Sequence, residues 1–266
     1  MLTSSVVKRH AERAITYTRL RRLNLSMAAL HLLQGLIILR LSKRDFTLPI
    51  NVAYLDFREA TQALVPATRT LFHVPLAWLV VAFLFISATA HWLSATVWRA
   101  GYERDLAHGV ARARWFEYAL SASTMMVAIA LLVGVYDLAS LLMIFALVAV
   151  MNLLGLIMEI HNQTTERTRW VGFVVGCLAG VVPWIAVALY FWAANNYGGG
   201  QIPAFVYGIY GSIFLFFNCF AVNMWLQYRK VGAWRSYLYG EQAYIILSLV
   251  AKSALAWQVF AGTLRP

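Results

Sequence analysis

Seven runs of apolar residues, each about as long as a bilayer is thick, constrain this chain more than any other feature. They fall at roughly 23–41, 74–97, 113–135, 138–160, 170–194, 203–228 and 240–262. A membrane-crossing helix needs about 20 mainly apolar residues. Within lipid the backbone must satisfy its own polar groups, which makes each run a helix. Seven spans and their connections use most of the 266 residues and leave no room for a sizeable soluble domain. The 12% of charged residues agrees, since soluble domains carry about 25%. The expected fold is all-α: one seven-transmembrane helix bundle over residues 1–266.

Punctuation supports these boundaries. Pro75, Pro203 and the run Gly198-Gly199-Gly200 mark helix ends, and Pro183 lies inside the fifth span, where a kink is expected. The basic N-terminal segment leads into an apolar run with no convincing small-residue cleavage site, so the first helix is expected to be retained. The longest connection, 42–73, contains LPINVAYLDF, whose alternation predicts a β hairpin. Cys177 and Cys219 lie within apolar spans, lack metal-ligand spacing, and are expected to be small core residues.

The net charge of +11 does not imply nucleic acid, because the basic residues sit at span ends. Fifteen Lys and Arg fall on the side of the N-terminus, among them Arg99, Arg104, Arg112, Arg114, Arg167, Arg169, Arg229, Lys230 and Arg235. Six fall on the other side. Positive residues favour the cytoplasm, which predicts a multi-pass cell-membrane protein with a cytoplasmic N-terminus, an extracellular C-terminus and an extracellular 42–73 connection.

One charge breaks the pattern. Lys252 is the lone charge in AYIILSLVAKSALAWQVFAG and lies mid-span. A lysine there costs about 2.5 kcal/mol or more and is too deep to snorkel easily. Burial alone leaves two readings open. Lys252 forms a structural ion pair, or it is a buried amine able to form a Schiff base with an aldehyde. Both need a nearby acid. Glu117, in RWFEYALSASTMM of the third span, is the best candidate, with Ser121 and Thr124 following on its face. Counted from the outer span ends, the two differ in depth by roughly 12 Å. Asp137, Glu159 and Glu241 sit at span ends.

Further polar residues share helix faces. Ser248 precedes Lys252 by one turn, Ser87 and His91 are an i, i+4 pair, and Asn24, His31 and Gln34 fall at i, i+7 and i+10. Singly each reads as a helix–helix hydrogen bond worth under about 1 kcal/mol. Together with the lysine and glutamate they predict a hydrated polar network. Trp184, Phe214 and Phe217 belong to aromatic-rich fifth and sixth spans able to wall a slot for a flat apolar ligand.

Seven spans, a mid-helix lysine in the last and a carboxylate in the third describe a rhodopsin. The segments RWFEYALSAS, YGIYGSIFLFFNCFAVNMWLQY and YGEQAYIILSLVAKSALAWQVF, with HLLQ in the first span and SATAH in the second, resemble the heliorhodopsins over essentially the whole chain. The resemblance implies all-trans retinal on Lys252 as a protonated Schiff base, with Glu117 as counterion and Ser121 and Ser248 close by. It implies a cavity network of His31, Ser87 and His91, and pocket contacts from Tyr118, Met151 and Phe217. It also implies a homodimer with the first connection forming an extracellular sheet.

Pump-type rhodopsins commonly carry a third-helix carboxylate, a Thr four residues on and a second carboxylate eleven on. Those steps read Glu117, Ser121 and Ala128 here, and Ser248 stands where their seventh helix often has Asp. A relay needs successive proton-holding groups, so a light sensor with a cytoplasmic signalling partner is expected rather than a pump. The alternatives are light-driven or light-gated ion transport, or a retinal-free transporter with a Lys252–Glu117 ion pair. The sequence contains no nucleophilic triad, metal-ligand cluster or phosphate loop, so neither an enzyme nor a metal site is expected.

Overall fold

The apolar runs become seven helices long and apolar enough to cross a membrane in the computed structural model, which describes residues 15–43, 45–199 and 202–265. Helix α1 (Tyr17–Leu41) leads into a hairpin of β1 (Thr47–Arg58) and β2 (Ala63–Pro75). Helix α2 (Leu76–Ala95) follows, then the short surface helix α3 (Arg99–Ala107), α4 (Arg112–Leu132) and α5 (Leu138–His161). Helices α6 (Val171–Tyr197) and α7 (Ala204–Tyr228) precede a 3₁₀ turn (Gly232–Arg235) and α8 (Tyr237–Val259). A π-helical turn, Phe260–Leu264, extends α8. The result is a seven-helix bundle with one two-stranded antiparallel hairpin. Helix α6 continues through Pro183, whose missing N–H leaves the carbonyl of Ala179 without its helical donor.

The spans pack in a ring. Helix α1 lies on α2, α2 on α4, α4 on α5, α5 on α6, α7 on α8, and α8 returns to α1. The α6–α7 seam is closed mainly by rings, with Phe191 against Tyr207 and Trp184 against Phe214 and Phe217. Helix α4 is the most enclosed span, and thirteen of its residues are buried. Helix α7 buries six, clustered near its ends: Val206, Ile209 and Ile213, then Asn223, Met224 and Gln227. Close approach is specific at Gly155 of α5, where a Cβ would collide with the Trp115 ring of α4.

The hairpin pairs from Thr47 with Pro75 to Arg58 with Ala63, with an irregularity at Ile50/Asn51. There the Asn51 N–H donates to the Tyr136 carbonyl at 2.8 Å, fastening the hairpin to the α4–α5 connection. That connection turns through Gly134 at φ 97°, a conformation glycine adopts freely. The cysteines differ from expectation: Cys177 is exposed on the bundle surface and Cys219 is half-buried. An apolar span in lipid has no preferred inward side for a small apolar residue, so hydropathy alone does not place it.

Asp137 caps α5, accepting from the Ser140 N–H at 2.8 Å and the Ser140 hydroxyl at 2.9 Å. These bonds hold its carboxyl below the usual carboxylate range. A depressed carboxyl contributes stability above its unfolded pKa and loses it as pH falls through the folded one. Asp137→Ala is therefore expected to cost about 1 kcal/mol at neutral pH, read as a lower Tm in detergent. The gap should narrow once acid protonates the wild-type carboxyl; equal Tm values at neutral pH would remove the cap from the account.

Candidate functional site

Lys252 Nζ lies 2.8 Å from Glu117 Oε1 and 2.6 Å from Ser248 Oγ, with both charged side chains 4% exposed. The bond to Ser248 explains how the depth difference is bridged. Side chains on a helix lean toward its N-terminus, so the lysine arm reaches back one turn, about 6 Å of helix rise. The final turn to Leu264 adds the remainder, leaving twelve residues of helix beyond Lys252 against fifteen beyond Glu117.

Glu117 Oε1 also accepts from Ser87 Oγ of α2 at 2.6 Å. One turn along α2, His91 Nδ1 lies 2.6 Å from Asn24 Oδ1 of α1. The carboxamide oxygen only accepts, so His91 donates from Nδ1 and its Nε2 is free. That Nε2 is buried without a partner among the described residues, as are both ring nitrogens of His31. The His31 and His91 rings stack, with centroids 5.7 Å apart and planes within 10°. The network thus offers buried nitrogen lone pairs on the two helices, α1 and α2, that adjoin the lysine's own.

Gln34 is placed elsewhere. It accepts from Trp257 Nε1 at 2.9 Å on the partly exposed α1–α8 seam, one turn from the histidines and away from them. Thr124 bonds back to the Leu120 carbonyl and does not reach the lysine. Ser121 is fully buried one turn from Glu117, and its hydroxyl has no hydrogen-bond partner among the described residues.

Toward the middle of the bundle the lysine is flanked by aromatics. Its Nζ is 5.1 Å from the Tyr118 ring centre, and the Tyr118 hydroxyl donates to the Tyr244 carbonyl at 2.9 Å. Trp184 stands edge-on to Tyr210, Phe214 and Phe217 at 5.2–5.6 Å, and its buried indole N–H has no partner among the described residues. Met151 and Phe217 meet over Gly180, where a Cβ would strike the Met151 sulfur. Phe214 is 43% exposed, so only part of its ring faces this group.

A second buried charge cluster was not anticipated. Arg114, expected to mark the membrane edge, is buried and bridges Glu159 of α5 and Glu241 of α8. Its guanidinium lies 3.9 Å from the Tyr244 ring centre and 4.7 Å from that of Trp115. Glu159 further accepts from the Ala111 N–H, Trp115 Nε1 and the Tyr237 hydroxyl, at 2.6–3.0 Å. Tyr102 of α3 bonds Glu241 at 2.8 Å, and burial followed by that carboxylate pushes its phenol well above the usual tyrosine value. The available signal was the pairing of two acids with one arginine near span ends, where charge ordinarily reads as a topology mark.

Breaking the Lys252–Glu117 pair from one side strands a buried charge, at a cost of about 3–5 kcal/mol, whereas neutral packing of both sites is often tolerated. In the retinal-free chain, Lys252→Met should therefore lower Tm markedly, and Lys252→Met with Glu117→Gln should recover most of the loss. Additive losses in the double variant would show that the two groups do not interact.

No curated protein matches the chain. The heliorhodopsin family model matches residues 20–264, which takes in all seven spans, the hairpin and both charge clusters. The chain is therefore a member of the heliorhodopsin family of retinal-binding rhodopsins.

Proposed function

We propose that the chain is a photoreceptor in which all-trans retinal is held by Lys252 as a protonated Schiff base, with Glu117 as its counterion. The observation that carries this reading is the buried 2.8 Å contact between Lys252 Nζ and Glu117 Oε1. The amine is fixed by Ser248 and held beside its anion, so a positive charge at this nitrogen is stabilised where lipid would otherwise oppose it. The surrounding residues fit a long apolar ligand with a polar end. Trp184, Phe217, Met151 and Tyr118 supply apolar walls, Met151 and Phe217 pack over Gly180, and the Ser121 hydroxyl and Trp184 N–H are buried without a partner among the described residues. Phe214 completes the aromatic group from its exposed side.

Bound retinal supplies visible absorption and a light-driven change of shape next to the lysine nitrogen. The protein's part is to hold the charge at Nζ in the dark and to receive its proton afterwards. His91 Nε2 and one ring nitrogen of His31 are buried acceptors near Ser87, with Asn24 holding the His91 ring. Proton loss from the lysine nitrogen removes the ion pair that ties α8 to α4, which biases the bundle toward a different packing. Among the described residues, the carboxylates near the nitrogen are Glu117 and, beyond it, Glu241, with Ala128 and Ser248 at the further relay positions. This favours signalling over vectorial transport.

The Arg-rich end, read as cytoplasmic, is then the face offered to a signalling partner, and the hairpin is extracellular. Exposed Leu55, Phe57, Leu64 and Phe72 on the hairpin support a homodimer.

The test is absorption spectroscopy of the chain expressed with all-trans retinal. A visible band bleached by hydroxylamine under light is expected, lost in Lys252→Ala and shifted to the red in Glu117→Gln. Glu117→Gln should also lower the Schiff-base pKa by removing the stabilising anion. No band in folded protein would leave Lys252 as half of a structural ion pair, and a light-induced current under voltage clamp would replace sensing with transport.

A further inference from the structure

A cavity of about 20 Å³, room for a water molecule, is lined in common by Glu117 and His91, by Arg114 and Glu241, and by Asn24 and Tyr102. It joins the lysine site to the second charge cluster. Around it, among the described residues, three carboxylates face two cations: Glu117, Glu159 and Glu241 against Lys252 and Arg114, all buried. Lys252 is matched by Glu117. Arg114 is shared.

The two acids that share Arg114 are not equivalent. Glu159 accepts four donors, from Arg114, Trp115, Tyr237 and the Ala111 backbone, which suits an ionised carboxylate. Glu241 meets Arg114 through one oxygen and Tyr102 through the other, and it borders the cavity. The other ionisable groups around it are Tyr237 and Tyr244 of its own helix, Tyr118 of α4 and His91 of α2, which lines the same cavity; none is a permanent cation. With Arg114 matched by Glu159, a second anion at Glu241 would be buried without compensation, and such a group takes up a proton instead.

We propose that Glu241 is protonated in the resting protein and serves as an internal proton store for the Lys252 site. The second half of this rests on the photoreceptor reading; the first does not. In recovery, the O–H bond of Glu241 breaks and a proton passes through the cavity to the Lys252–Glu117 pair, where the N–H bond at Lys252 re-forms. The carboxylate left behind is refilled by the proton held on the His31–His91 pair, passing by Asn24 and Tyr102. No proton need enter from outside, and the balance closes within the bundle.

Infrared spectroscopy of the full retinal-free chain with ¹³C-labelled glutamate tests the first half. At neutral pH the carbonyl band of an undissociated acid is expected. It should vanish in Glu241→Gln, which keeps the shape of the protonated acid. It should also vanish in Glu159→Gln, because Arg114 then has Glu241 as its one anionic partner. A missing band in the wild type, or one that survives Glu241→Gln, overturns the proposal. In the retinal-loaded chain, Glu241→Gln should keep the dark spectrum and Tm while slowing recovery after a flash by about tenfold or more. Unchanged recovery would overturn the storage role. Failure to form any pigment would sink the photoreceptor reading and leave the infrared result standing on its own.

Discussion

A positive charge in the middle of a membrane helix must be matched, and the rest of this structure is arranged around that requirement. Lys252 cannot reach water, so α4 brings Glu117 to it, α2 supplies Ser87 to the same carboxylate oxygen, and Ser248 holds the arm from one turn back. Three helices thereby meet at one atom. The enclosure of α4 follows, since the helix carrying Glu117 has to be surrounded by the helices that complete its shell. An apolar pair of similar volume would be at least as stable, so the cost of the charges points to their use.

The second cluster obeys the same electrostatics with a different balance. Arg114 lies against the Trp115 and Tyr244 rings and is shared by two acids, and it fastens α4, α5 and α8 near the Arg-rich end. Gly155 lets the Trp115 ring lie close on α5, and the indole N–H then reaches Glu159 one turn further along. The Arg-rich end of the bundle is thus tied across three helices and joined by the cavity to the Lys252–Glu117 site.

What could be read from sequence follows from which physics is local. Spans are legible because lipid demands about 20 apolar residues in succession, and the hairpin because alternation is local too. Lys252 and Glu117 stand out as charges inside apolar runs. Arg114, Glu159 and Glu241 do not, because near a span end a charge reaching water and a charge turned inward look alike in a linear pattern. Helical spacing put Gln34 with Asn24 and His31, but the neighbour that decides its role is Trp257, more than two hundred residues away. The depth of the lysine nitrogen was hidden for a similar reason: it depends on the direction of a side chain, and counting residues locates only the Cα.

Helix α7 holds buried residues near both ends and none between Phe214 and Val222. Mechanically it is a beam clamped near its ends and held at midspan through ring contacts, Phe217 on Trp184 and Phe220 on Tyr118 and Tyr244. Such a beam takes up a change of volume beside it by bowing, while its ends keep their register. Deformation begun next to the lysine would be spent at midspan on the lipid side, and the clamped ends would feel a change of slope rather than of position.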